Sequence, residues 1–433
     1  MAIQSLLMIL AVLLVLLAFG VPIAYSIGIS ALTAILQTVS FDVSVVTAAQ
    51  RTFVGMSKFS LTAIPFFILA GNLMNQGGIA KRLVDFVMAI LGKLPGALLV
   101  TNAGANALFG AISGSAAAAA AAVGSMVKEG EEELGYDPAL CAATNGASAP
   151  SGLLIPPSNA LITYSLASGG TSVAALFLGG YIPGMLWALC CIIVGVILAK
   201  RKGYRGSEGK YDWMNLLRAT IKALPALSLI VIVIGGIVIG VFTATEGSAI
   251  AVVYALILGM CYHNISVESF WRIVVDSAKM SGMVVFLIGV SNILGWVMAF
   301  LQIPQAVSAA LLGLTDNYIL ILLIMNVILL IAGTFMDVTP AILIFTPLFL
   351  PIVKTFGMHP VHFGLILVYN LCIGNITPPV GNTLFVAIKV GGTTLAKTVS
   401  YMIWYYLAIL TGLLLITYVP FLSTGLPMAA GLI

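Results

Sequence analysis

Two stretches, SGLLIPPSNALI at residues 151–162 and GNITPPVGNTLF at residues 374–385, set adjacent prolines inside long apolar runs. A proline removes a backbone donor and crowds the preceding turn, and the residue before it is driven out of helical geometry. Two in succession beside Gly152 or Gly374, followed by polar side chains, unwind a helix rather than kink it. Unwinding bares carbonyls at the end of one half-helix and amides at the start of the next, each costing several kcal/mol in hydrocarbon. Something polar must fill such a gap. A cation suits the carbonyl end, and an anionic group suits the amide end with its positive dipole.

The surroundings are those of a membrane. The chain of 433 residues is 61% hydrophobic and 7% charged, with a mean hydropathy of +1.16, which no soluble core could hide. Apolar runs of spanning length recur throughout, and the strict alternation of a barrel strand is missing, so the fold class is an all-α polytopic membrane protein. Spans are expected near 4–19, 22–38, 60–75, 138–167, 172–200, 222–241, 246–262, 280–300, 360–390 and 395–421. The first reads as a spanning helix rather than a cleaved signal. Segments 42–58 and 264–276 are amphipathic and suit helices lying in the interface. Regions 95–127 and 317–354 are apolar but interrupted at AISGSAAAA and AGTFMDVTP, which reads as two re-entrant helical hairpins. Five cysteines sit in apolar context without metal-ligand spacing and read as small hydrophobes. The net charge of +4 reports topology here and gives no ground for a nucleic-acid partner.

The chain is duplicated. Pro378 lies 222 residues after Pro156, and the same ungapped shift puts Pro138 on Pro360, Gly152 on Gly374, and Gly169, Gly170 and Thr171 on Gly391, Gly392 and Thr393. It also lays ISGS on TFMD, one hairpin tip on the other. The expected division is a first repeat at 1–201, a polar cytoplasmic linker at 202–213 and a second repeat at 214–433. Five crossings and one hairpin per half invert the second copy. With both termini outside, only Arg51, Lys58 and Lys354 of the 18 Lys and Arg fall outside, so the positive-inside rule selects this orientation.

Each tip is expected to face its own gap. In the first half, Ser113 and Ser115 with carbonyls of Gly152, Ile155 and Pro157 form a cage of hard oxygens; in the second, Gly333, Thr334 and Asp337 with Gly374, Thr377 and Pro379 do so. Oxygen donors suit sodium, although lithium or a proton would also satisfy them. Substrate is expected between the cages, near Asn145, Ser148, Ser158, Asn159, Asn375, Asn382 and Thr383. A carboxylate such as Asp337 at membrane depth is functional by default. Glu246 reads as a cap of a helix start, the three histidines as loop or interface residues, and EGEEELGYD at 129–137 as a solvated loop. An intramembrane protease would need a GxGD, GxSG or HExxH motif, and none is complete.

The stretches AISGSAAAAAAAVGSM, GYDPALCAATNGASAPSGLLIPPSN, TATEGSAIAVVYAL, AGTFMDVTPAILIFTPLFLPI and NLCIGNITPPVGN together resemble the large membrane subunit of a tripartite ATP-independent periplasmic (TRAP) transporter, and they cover most of the chain in family order. The resemblance implies an elevator: a scaffold holds still while a transport domain of hairpins and broken helices carries substrate across a bacterial inner membrane. It implies sodium as coupling ion with no other cofactor, an organic-acid substrate, a periplasmic binding protein that delivers it, and a small four-helix membrane subunit. Because the repeat starts near Met1, that subunit is expected as a separate chain. Sialic acid is the leading cargo on resemblance, with C4-dicarboxylates next. The alternative is a stand-alone sodium/dicarboxylate elevator that needs no binding protein.

Overall fold

A computed structural model of the chain describes residues 2–206, 212–315 and 317–433. Five residues of the expected polar linker, 207–211, lie outside the described residues. The described residues are helical throughout, without a strand. In the first half the helices are α1 (Ala2–Ala18), α2 (Ile23–Ile35), α3 (Phe41–Met56), α4 (Ala63–Gln76), α5 (Ile79–Leu91), α6 (Ala97–Ser113), α7 (Ala116–Glu133), α8 (Pro138–Ser148), α9 (Ser151–Leu154), α10 (Asn159–Ala167) and α11 (Val173–Lys202). The second half contributes α12 (Trp213–Ile239), α13 (Ala244–Cys261), α14 (Val267–Phe300), α15 (Ile303–Leu314), α16 (Tyr318–Phe335), α17 (Val338–Thr355), α18 (Pro360–Gly374), α19 (Asn382–Gly391), α20 (Leu395–Tyr418) and α21 (Phe421–Ala429).

Local chemistry sets the ends. Ser115, Asp137, Ser158 and Ser172 cap α7, α8, α10 and α11 with side-chain oxygens, each satisfying an orphan amide of a first turn. Thr243 and Glu246 cap α13 reciprocally, the role the sequence predicts for Glu246. Pro138 and Pro360 sit in the first turns of α8 and α18, where a missing N–H costs nothing.

The helices pack around two groups, joined by α5 on α6 and α14 on α17. In the outer frame, α13 lies on α4, α14 on α2, α3 and α4, α1 on α2, and α12 on α5. In the inner body, α6 lies on α7, α8, α9 and α11, α16 and α17 on α18, and α20 on α8, α11 and α18. The two repeats interlock inside this body: α10, which follows the first gap, packs on α17 and α18, while α19, which follows the second, packs on α7 and α8. Hydrogen bonds cross between the halves as well, from Tyr164 Oη to the Pro360 carbonyl at 2.6 Å and between Thr144 Oγ1 and Tyr405 Oη at 2.7 Å. At one end Asp137 receives Tyr401 Oη at 2.6 Å and Lys202 Nζ at 3.3 Å. Burial raises that carboxyl's pKa, but these donors and the Ala139 amide outweigh it and leave the group below its ordinary range.

Several local expectations differ. Segment 264–276 is no separate interfacial helix; α14 runs unbroken for 34 residues because Ser266 caps it and nothing between Val267 and Phe300 breaks helical geometry. Residues 79–91, assigned no element from sequence, form the strongly amphipathic α5, and α15 and α21 are further short helices. The acidic stretch at 129–137 is helical as far as Glu133, and Glu131 is buried rather than solvated. His362 is no loop residue: it is 2% exposed in the first turn of α18, with Nδ1 2.6 Å from Ser423 Oγ. His359 caps that helix, accepting from the Val361 amide. All five cysteines are free, and Cys261 is exposed while the other four are buried or half-buried.

Candidate functional site

Both doubled prolines interrupt helices where the sequence places them. The first gap separates α9 from α10 at residues 155–158, and the second separates α18 from α19 at residues 375–381. Pro156 stands four residues after Gly152 and Pro378 four after Gly374, so neither glycine carbonyl can receive the ordinary helical N–H. The two hairpins, with tips at residues 114–115 between α6 and α7 and 336–337 between α16 and α17, pack against the broken helices just before these gaps. The fit is backbone on backbone. A Cβ built on Gly152 would fall 2.2 Å from the Gly110 carbonyl carbon, and one on Gly374 would fall 2.3 Å from that of Gly333. Val380 N–H donates to the Thr334 carbonyl across the second contact at 3.3 Å. Both X-Pro bonds inside the proline pairs are cis.

Both tips, the second gap at Asn375 and the helix ends flanking the first gap, Leu153 and Asn159, face one cavity of about 290 Å³ on the boundary between inner body and frame. Six residues singled out from sequence line it together: Ser113, Ser115, Asn159, Asp337, Asn375 and Asn382. So do the first residues of four helices, Ala116 of α7, Asn159 of α10, Val338 of α17 and Asn382 of α19. Four positive dipole ends therefore converge on one space, an arrangement that favours an anion there. The wall opposite comes from the frame: Gly71, Asn72 and Asn75 of α4, with Met280 and Val284 of α14. Asn72 Nδ2 donates to Ser277 Oγ at 2.8 Å.

Other residues expected at the site stand behind it. Gly152, Gly333 and Gly374 make the close contacts between hairpin helices and broken helices, and Thr334 and Thr377 hold backbone geometry, the latter donating to the Ile373 carbonyl at 2.7 Å. Ile155, Pro157 and Pro379 lie in the gaps themselves, and no other described residue donates a hydrogen bond to the Ile155 or Pro157 carbonyl. Ser158 caps α10 and donates to the Leu153 carbonyl. Thr383 is fully buried, with a hydroxyl lacking any partner among the described residues.

Asn145 and Ser148 do not line the cavity. They join a buried polar cluster in which Asn106 Nδ2 lies 2.7 Å from Asn102 Oδ1, 3.0 Å from Asn145 Oδ1 and 2.9 Å from Ser148 Oγ. The second half repeats it: Asn370, the shifted counterpart of Ser148, lies 2.9 Å from Asn326 Oδ1, and Asn326 reaches Thr417 Oγ1 at 3.0 Å. These pairs bolt each hairpin to its broken helix. In sequence, a polar group near a gap looks the same whether it faces a cavity or a neighbouring helix, which is why the pattern points both residues at cargo.

A second cleft of about 340 Å³, between α3, α14 and α17, is lined by Arg51, Lys58, Ser291, Asn292 and Trp296. The Arg51 guanidinium sits 5.1 Å from the centre of the Trp296 ring, a cation–π arrangement. It is the more basic of the two spaces, but neither hairpin tip reaches it, so the broken-helix chemistry belongs to the other.

Comparison with known proteins agrees with this architecture. Residues 10–422 match the family described as tripartite ATP-independent periplasmic transporter, DctM component. The chain is 50% identical over 413 residues to the uncharacterized protein YgiK of Salmonella typhimurium, covering 95% of each. It is 40% identical to the isethionate TRAP transporter permease protein DctMQ of Oleidesulfovibrio alaskensis, over 93% of this chain and 63% of that longer relative. The solved structure of the Alcanivorax borkumensis YdaH transporter shares the fold, with a TM-score of 0.59, 16% identity, and 88% and 87% of the two chains covered. The chain belongs to the tripartite ATP-independent periplasmic transporter family, as its large membrane subunit, the DctM component.

Proposed function

We propose that the protein performs sodium-coupled uptake of an organic acid across the bacterial inner membrane by an elevator movement. The family works with a small membrane subunit and a periplasmic binding protein; here the binding protein delivers the acid. The observation that carries the reading is the one cavity that meets both tips, the second gap and the start of the helix that follows the first gap. Its hard oxygens, including the Asp337 carboxylate, serve sodium, and its four helix starts serve a carboxylate. Sodium sits in two cages: Ser113 and Ser115 with the Gly152, Ile155 and Pro157 carbonyls, and Asp337 and Thr334 with those of Gly333, Gly374, Thr377 and Pro379. The cargo lies between Asn159, Asn375 and Asn382, with sialic acid the leading candidate and C4-dicarboxylates next.

The frame acts as scaffold and the interlocked inner body as the moving part. With both termini outside, α4 runs inward toward the turn at 77–78, so a cavity lined by its Asn72 and Asn75 lies in the inner half of the membrane. This conformation is the inward-facing end state. The basic cleft at Arg51 and Lys58 then lies on the outer side, where it attracts the incoming anion. Two sodium ions with a monocarboxylate carry one net positive charge inward, gaining about 2.3 kcal/mol per 100 mV. Proteoliposomes holding this chain and its small subunit are expected to take up the acid only with an inward sodium gradient and binding protein present; robust uptake without sodium, or by the membrane part alone, contradicts the reading.

A further inference from the structure

We infer that the cavity is selective for a hydroxyl-rich acid bearing a single negative charge, and that Asn72 and Asn75 of the frame help to read its hydroxyls; the inference rests on the transport reading above. Five asparagines line the space, Asn72 and Asn75 from α4 and Asn159, Asn375 and Asn382 from the inner body. Unlike the asparagines of the two buried clusters, the side-chain amides of Asn75, Asn159, Asn375 and Asn382 make no hydrogen bond to another described residue. Asn72 is aimed by its bond to Ser277. A carboxamide offers two donors and an accepting oxygen, the complement of a hydroxyl, which both donates and accepts.

The charge balance points the same way. No Lys, Arg or His is among the described residues lining the cavity, and the one charged side chain there is Asp337. One carboxylate is met by the converging helix starts and a sodium ion. With the other sodium ion held by Asp337, a second carboxylate would leave water with no basic side chain in the lining to pair it. A hydroxylated remainder instead satisfies the free amides. Because Asn72 and Asn75 stand on the frame, their contacts exist only while the cavity lies against α4. They strengthen binding in this end state alone and bias the inner body toward it.

The test is sodium-dependent thermal unfolding of the purified full-length chain in lipid nanodiscs, titrated with D-gluconate, D-glucuronate, N-acetylneuraminate and succinate, with choline replacing sodium as control. At least one hydroxylated monoacid is expected to bind tenfold or more tightly than succinate. Asn75→Ala is expected to weaken that acid by about three- to tenfold, the loss of one or two hydrogen bonds, while stabilisation by sodium alone stays unchanged. Ser277→Ala, which frees Asn72 without altering a cavity-lining residue, is expected to weaken it in the same sense by a smaller factor. Succinate binding as tightly as every hydroxylated acid, or an Asn75→Ala chain that binds like the parent, overturns the inference and leaves sodium-coupled transport standing. Absence of sodium-dependent binding by any acid overturns both.

Discussion

The two gaps share their proline pair and preceding glycine at a 222-residue shift, yet they are finished differently. The first is four residues long and closes on itself: Ser158 donates to the Leu153 carbonyl and accepts from the Leu161 amide, and at the facing tip Ser115 caps α7. The second is seven residues long and is held from outside. Thr334 of the hairpin accepts from Val380 N–H, and Tyr406 of α20 donates to the Ile376 carbonyl at 2.6 Å. Its tip residue Asp337 makes no side-chain cap, α19 starts from Gly381 at φ 34° without one, and Thr383 keeps an unpartnered buried hydroxyl. A duplicated break fixes where the backbone opens; the side chains added afterwards decide how much polarity is left for a ligand. On that account the second cage depends on its ion more than the first.

The largest effects are expected where the halves are alike. Gly152→Ala and Gly374→Ala each drive a Cβ into facing backbone that no side-chain rotation relieves, at or above the 1–3 kcal/mol typical of overpacking, roughly a ten- to hundredfold loss. Both variants are expected to lose sodium-driven uptake at normal membrane abundance. Near-parental uptake by either one separates tip contact from function.

Next comes the asymmetry itself. Asp337→Asn removes the one carboxylate in the cavity, and a hydrogen bond or ligand contact to a charged group contributes about 1.5–3 kcal/mol against 0.5–1.5 for a neutral one. The sodium concentration for half-maximal uptake is therefore expected to rise more than tenfold in Asp337→Asn and about three- to tenfold in Ser113→Ala. Equal rises in the two would erase the distinction between the cages.

Smaller effects are structural. Asn106→Ala and Asn326→Ala each strand buried polar partners at about 1–3 kcal/mol and are expected to lower the unfolding midpoint without moving the sodium requirement. Ser158→Ala removes a cap, about 1 kcal/mol, and is the mildest; a shift in sodium affinity in any of these three would place the altered residue in a cage rather than in the framework.

Much of this was legible because prolines and glycines act through the backbone. The proline pairs at 156–157 and 378–379, with Gly152 and Gly374, located both gaps and the shared repeat before any packing was known. The interruptions at residues 114–115 and 336–337 likewise showed the tips. Which polar residues face the cavity is legible only where they flank a gap or a tip, as Ser113, Ser115, Asn159, Asp337, Asn375 and Asn382 do; elsewhere it depends on helix rotation about its axis. Asn145 and Ser148 turn inward to Asn106, whereas Asn72 and Asn75, in the apolar context FILAGNLMNQ, turn toward the cavity. The helix α5 was missed because its Lys81, Arg82 and Asp85 interrupt the apolar run that marks a span, although the 3.6-residue period of Leu83, Val84 and Val87 was there to be read.

The central claim, that gaps and tips travel as one body past a fixed frame, is tested most directly by double electron–electron resonance on spin-label pairs in nanodiscs, with exposed Cys261 replaced. Labels at Glu132 of α7 and Lys397 of α20 report within the inner body; labels at Glu132 and Lys279 of α14 report across its boundary with the frame. The expected result is one distance for the inner pair in every condition and two populations for the crossing pair, redistributed by sodium and cargo. A crossing distance that stays single while the inner pair splits would contradict the account.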